Sequence, residues 1–123
     1  MKPLEHEDDI NLDEKWREIG GKIPNTIAGF VNIQEEMLTL FCKKQSDYGS
    51  SNIGMGKNIL ETDEDVHRAL LGLSVRLNDK IQRLLNLTLS NKEPNNESVE
   101  DTLIDISNYG IMGILCLRKV WGK

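Results

Sequence analysis

The chain has few aromatic residues: two tryptophans, two tyrosines and two phenylalanines among 123 residues. Stacked rings cannot build its core, so aliphatic side chains must fill it. Cysteine is equally sparse. Cys42 and Cys116 each sit in an apolar helical pattern, with no Cys-x-x-Cys and no histidine beside them. A disulfide framework and a zinc site are thereby excluded, and both read as buried thiols. Long apolar runs are missing too. Ile111–Leu117 is broken by Gly113 and is far too short to cross a bilayer. The acidic stretch Met1–Asp9 lacks the apolar segment of a signal peptide. The expectation is a cytoplasmic protein (host cytoplasm if viral) with no membrane partner. Basic excess is also lacking: the net charge is −5, of which −3 falls in residues 1–25. That excludes an overall field for duplex nucleic acid but allows a local basic pocket for one phosphate.

Period-two alternation is absent, whereas helical spacing recurs. A short helix is expected over Asn11–Ile19, after a frayed stretch 1–9, with Gly20-Gly21 ending it and Pro24 setting a new direction. Ile27, Phe30, Val31, Met37, Leu38 and Phe41 form the stripe of a second helix that closes at Tyr48 and Gly49. Residues 49–57 read as loop. They imitate a phosphate loop, but Met55 follows Gly54, Asn58 follows Lys57, and no strand precedes. Thr62 caps a third helix whose stripe is Val66, Leu70, Leu73, Leu77 and Leu84, running to about Leu89. A fourth runs from near Ser98 to about Val120, with Val99, Thr102, Leu103, Ile106, Gly113 and Leu117 on one side. The expected architecture is all-α: a small antiparallel bundle of three long helices and a short N-terminal one. An acidic segment, 1–25, precedes a single helical domain, 26–123. Apolar helix surface left over in so small a bundle points to a homo-oligomer, with Gly110 and Gly113 permitting close contact.

Some polar residues do not suit a plain bundle. Asp101, Asp105 and Asn108 fall within about 60° of one another on the last helix, with Met112 and Leu115 continuing that side. Such a face should point inward and bring two carboxylates near enough to share a cation or to repel strongly. Residues 97–105 hold four acids (Glu97, Glu100, Asp101, Asp105) and no base. Matching the helix dipole accounts for the first three but not for Asp105, two turns in. On the third helix Arg76, Asp79, Lys80 and Arg83 share about 100° beside the stripe, with Ala69 and Gly72 extending the face. A solvated ion-pair face or a basic rim for phosphate both fit, with Asp79 orienting Arg76 or serving as a metal carboxylate. Lys44, Gln45, Asp47, Tyr48 and Asn52 supply further polar and aromatic groups around the end of the second helix.

Three stretches carry a family resemblance. They are Lys44-Gln45-x-Asp47-Tyr48-Gly49-x-x-Asn52, Gly72-Leu73-x-Val75-Arg76-x-x-Asp79-Lys80-x-x-Arg83-Leu84, and Asn96-Glu97-Ser98-Val99-Glu100-Asp101-Thr102-Leu103-x-Asp105-Ile106-x-Asn108-Tyr109. Together they resemble the nucleotide modification associated domain 1 family of phages and bacteria. More distantly the chain resembles the MazG-like all-α nucleoside triphosphate pyrophosphatases, which hold Mg²⁺ between acidic pairs on two helices. Asp101 and Asp105 look like the second pair. At the first, Glu35-Glu36 is followed by no Glu-x-x-Glu, since position 39 is Thr39.

The resemblance implies a nucleotide or nucleotide-derived ligand. In an enzymatic reading Glu97, Asp101 and Asp105 are catalytic and, with Glu35 and Asp79, hold Mg²⁺. Lys44, Arg76, Lys80 and Arg83 neutralise phosphates, while Gln45, Asp47, Tyr48, Asn52 and Asn108 contact the rest of the nucleotide. The reaction would release a nucleoside monophosphate and pyrophosphate. In a second reading the same cations and amides sequester a cyclic or signalling nucleotide without cleaving it, as a phage anti-defence protein could. In a third the chain is a structural or interaction protein. Hydrolysis needs at least three convergent carboxylates; sequestration needs only the cations and amides.

Overall fold

A computed structural model describes residues 13–123. The frayed stretch expected over 1–9, and the start of the first helix at Asn11 and Leu12, lie outside the described residues. Four α-helices follow in order: α1 (Glu14–Lys22), α2 (Pro24–Tyr48), α3 (Asp63–Ser90) and α4 (Val99–Leu117), with a 3-10 turn at Ser50–Asn52. The described residues contain no strand, so the fold is all-α, with three long helices and one short one. None of these helices is long and apolar enough to cross a membrane. The chain clusters into two units, Met1–Lys43 and Lys44–Lys123.

In the first unit the glycine pair does not end α1, contrary to expectation. The helix passes through Gly20 and Gly21 to Lys22, and the break falls at Ile23, with φ −135° and ψ 56°. Pro24 is the cause: its ring disfavours helical backbone at the residue before it, while its missing N–H costs nothing at the first position of α2. The α2 stripe is only partly covered. Met37 is buried, but Phe30 and Leu38 are each 63% exposed. Cys42 is exposed as well, so only Cys116 is the buried thiol expected of both. Among the described residues this unit holds α1 and part of α2, and two helices cannot close over each other's whole apolar stripe.

The second unit is built on α3 and α4. Gly113 faces Leu70 and Leu73, Asp105 meets Lys80, and Thr102 meets Arg83. Rising numbers on one helix meet falling numbers on the other, so the pair is antiparallel. Both helices start on a capping box. The Thr62 hydroxyl accepts from the Asp65 N–H and the Asp65 carboxylate accepts from the Thr62 N–H; Ser98 and Asp101 repeat the arrangement.

The inward stripe of α3 reads Val66, Ala69, Leu73, then Arg76, Lys80, Arg83, then Leu87. On α4 it reads Thr102, Asp105, Asn108, Met112 and Cys116. The unit therefore has two ends. At one, Val66, Ala69, Leu73, Met112 and Cys116 make an apolar core with Leu60 and Trp121. At the other, cations on α3 confront polar groups on α4. As the spacing predicts, the α4 side with Asp105, Asn108 and Met112 is turned inward, and Leu103 and Leu117 are left 46% and 60% exposed. Gly113, expected at an interface between copies, instead packs within the chain, and Gly110 meets nothing. α4 stops at Leu117 rather than near Val120, since Lys119 turns the chain with φ 57°.

The segment between α2 and α3 is pinned from several sides. The Trp121 indole N–H donates to the Ser50 carbonyl at 3.0 Å. Buried Asp65 accepts from the backbone N–H groups of Glu61 and Thr62, and pairs with Lys57 at 2.8 Å and Arg68 at 3.0 Å. The Lys57 hydrogen bond is the main reason its carboxyl lies far below the usual range. Gly72, singled out in the small-residue patch, leaves room for Met55, whose sulfur would stand 3.0 Å from an added Cβ.

Candidate functional site

The polar end of the second unit opens into a pocket of about 250 Å³. Its first wall is the end of α2. Gly49, at φ +73°, turns the chain there as few other residues could. The 3-10 turn then folds back, and the Gln45 amide donates to the Ser50 hydroxyl at 2.8 Å. Its second wall is α3. The Arg76 guanidinium crosses the pocket to donate to the Asn52 side-chain carbonyl at 3.0 Å, fixing the turn against the helix. Its third wall is α4, with Asp105, Tyr109 and Met112.

Three cations, Lys44, Arg76 and Lys80, meet two carboxylates, Asp105 and Glu97, in this pocket. Lys44 Nζ lies 2.6 Å from one Asp105 oxygen and Lys80 Nζ lies 2.9 Å from the other. Lys80 also lies 2.8 Å from Glu97 Oε1. Burial alone would raise the Asp105 pKa; the hydrogen bonds from Lys44 and Lys80 outweigh it and hold the carboxyl below its ordinary value. Burial likewise pushes Lys80 down, but Glu97 and Asp105 prevail and raise it. The Lys80 hydrogen bond dominates at Glu97, with a further one from Thr102, so its pKa is lowered despite partial burial. All three groups are thus charged near neutrality. Arg83 stands behind them, donating to the Thr102 hydroxyl and the Glu97 carbonyl, and so holds the start of α4 against α3.

The expected ligand-binding residues divide accordingly. Lys44, Gln45, Tyr48, Asn52, Arg76 and Lys80 line the pocket together. Arg83 supports it from behind. Asn108 is buried but does not line it, and Asp47 is exposed and does not line it either. Tyr109 and Met112 line the pocket without having been expected as site residues. Their signal was available: both stand near Asp105 and Asn108 on the same helix side.

The expected metal carboxylates are not brought together. Asp101 is exposed and spent on the capping box, so the dipole and cap account for it fully. Asp79 is exposed and outside the network, and Arg76 pairs with Asn52 rather than with it. Glu35 is exposed and belongs to the first unit. Only Glu97 and Asp105 of the five reach the pocket, and each already accepts from an ammonium group. Among the described residues no group of three or more histidine, cysteine or carboxylate side chains could hold a metal. Two carboxylates, each already paired with an ammonium group, are what the described residues bring to the pocket.

The family model for nucleotide modification associated domain 1 matches residues 44–117. The chain belongs to that family. The match begins at Lys44 and takes in all twelve residues that line the pocket. In this nucleotide modification associated domain, then, the matched stretch covers most of the second unit, its apolar end as well as the pocket. No curated protein and no solved structure matches the chain.

Proposed function

We propose that the second unit is a nucleotide-binding module that holds its ligand by the phosphate and leaves it intact. One observation carries the reading: three cations from α2 and α3 converge on one pocket with two amides and two tyrosines, while both carboxylates there are already paired. Lys44, Arg76 and Lys80 exceed Asp105 and Glu97 by one positive charge, which favours an anion. Arg76 offers a planar fork to phosphate oxygens, and Lys80 a point charge only 20% exposed, where screening is weak. Tyr48 and Tyr109 supply ring faces at the rim, and Gln45 and Asn52 supply amide donors and acceptors for a base or sugar. Sequestration of a cyclic or signalling nucleotide needs no more than this set.

The test is a thermal-shift panel of nucleotides, each with and without Mg²⁺, with the contents of every mixture resolved by chromatography. Binding to the native state raises the midpoint. The expected outcome is stabilisation by a nucleotide that remains intact with metal present, and its loss in Arg76→Ala. Pyrophosphate release that vanishes in Asp105→Ala would overturn the reading in favour of the Mg²⁺-dependent pyrophosphohydrolase. A flat panel would remove nucleotides from the account.

A further inference from the structure

The side of α3 turned away from α4 carries a second pattern. Leu71, Val75, Asn78, Gln82, Leu85 and Leu89 follow one another at steps of four, three, four, three and four. That is the spacing of a coiled-coil seam. All six are exposed, and Leu71, Val75, Leu85 and Leu89 show 55%, 64%, 49% and 78% of their surface. Ile81, 47% exposed, flanks the seam. At 100° per residue the seam lies about 170° from the inward stripe that carries Arg76, Lys80 and Arg83, so neither α4 nor the pocket competes for it.

We infer that this face is the interface of an antiparallel homodimer, α3 against α3 of a second copy. The argument is self-complementarity. An antiparallel pair centred on position 80 sets Leu71 against Leu89 of the second copy, Val75 against Leu85, and Asn78 against Gln82. Every apolar position meets an apolar one. The two amides, which would otherwise be costly at a seam, meet each other and can exchange hydrogen bonds twice across the two-fold axis. Antiparallel coiled-coil layers have this geometry, and a buried amide is the usual means of fixing register. The receiving surface is also formed. Gln82, Leu85, Asn86, Leu89 and Ser90 line a shallow hollow on α3, and the first four are spaced as the four residues of a hole for one knob. In this register the knob is Val75 of the second copy. Burying the seam on both chains removes on the order of 1,000 Å² from water, the threshold for a specific interface.

Light scattering of the full chain at micromolar concentration should give twice the 14.0 kDa of one chain. Val75→Lys with Leu85→Lys should give the single mass with unchanged helical circular dichroism, since both residues are exposed in the chain itself. Wild-type monomer, or a dimer that survives this double change, would overturn the interface. Two charge pairs read the register. Asn78→Glu with Gln82→Lys places opposite charges together in the antiparallel pair and should remain dimeric. Asn78→Glu with Gln82→Glu places like charges together and should dissociate. A parallel pair sets each position against itself, so dissociation of the first double variant would overturn the antiparallel arrangement.

Discussion

Asp105 is where the chemistry of the pocket is decided. Buried between two lysines, it serves as their counter-ion, and in the proposed function a ligand phosphate would compete with it for the same ammonium groups. Asp105→Asn is expected to cost about 2 kcal/mol of stability, because Lys80 keeps its charge and loses a partner in a mostly buried place. The same change should tighten nucleotide binding by roughly fivefold at low salt, since it removes negative charge from an anion site. Urea titration and calorimetric titration check the two halves; weaker binding in Asp105→Asn would show that the carboxylate contacts ligand directly. The pH dependence has a definite sign. Asp105 and Glu97 have folded pKa values below their ordinary 3.8 and 4.5. Their contribution is complete above those ordinary values and drains away as pH falls through the lower folded ones. Lys80 is raised above 10.5, so its contribution holds below that value and is lost as pH climbs through the folded one. Urea midpoints should therefore be level between these limits and fall at both ends, with the acid fall smaller in Asp105→Asn.

At the scale of elements, the caps and the loop between α2 and α3 determine whether the pocket has walls. Thr62→Ala and Ser98→Ala each remove one capping hydrogen bond and should each cost about 1 kcal/mol, read as a lower urea midpoint. Two glycines make a sharper contrast. A Cβ at Gly54 would stand 1.9 Å from the Lys57 backbone oxygen, so Gly54→Ala has to move main chain. A Cβ at Gly72 would meet only the flexible Met55 side chain, its sulfur at 3.0 Å and its Cγ at 3.6 Å. Gly54→Ala should therefore destabilise several-fold more than Gly72→Ala in thermal unfolding, and should also weaken nucleotide binding by loosening Ser50–Asn52. Element positions were largely readable in the sequence. Thr62 and Ser98 announce their helices, and Gly49 announces a stop. Gly20-Gly21 misled, because the restriction that Pro24 places on Ile23 was stronger than the helix cost of two glycines.

At the scale of the whole molecule, the two faces of α3 divide the work. One carries Arg76, Lys80 and Arg83 toward α4; the other carries the seam from Leu71 to Leu89. A dimer formed through the seam makes the thermal midpoint rise with protein concentration, whereas a monomer's does not move. Since the faces are opposed, Val75→Lys with Leu85→Lys should abolish that concentration dependence and leave nucleotide affinity within about twofold of wild type, the mutated sites being independent of the pocket. Calorimetry on the monomeric variant checks this. A large loss of affinity there would mean that the pocket is completed by the second copy.

The sequence by itself determined the helices, their caps and the family motifs, because spacing, N-cap chemistry and turn residues act over a few positions. It also singled out half of the residues that line the pocket: Lys44, Gln45 and Tyr48 at the end of the second helix, Asn52 in the loop after it, and Arg76 and Lys80 beside the stripe of the third. What the acids do was decided only by tertiary structure. Asp101 and Asp105 lie one turn apart on the same helix; the dipole and the cap at Ser98 account locally for Asp101, but nothing local gives Asp105 its partners. The packing of α3 against α4 leaves Asp101 outside to cap its own helix and draws Asp105 inside, between ammonium groups brought from 61 positions upstream and from a neighbouring helix. A carboxylate's role depends on which charges lie within a few ångströms, and those charges come from parts of the chain that sequence spacing does not relate.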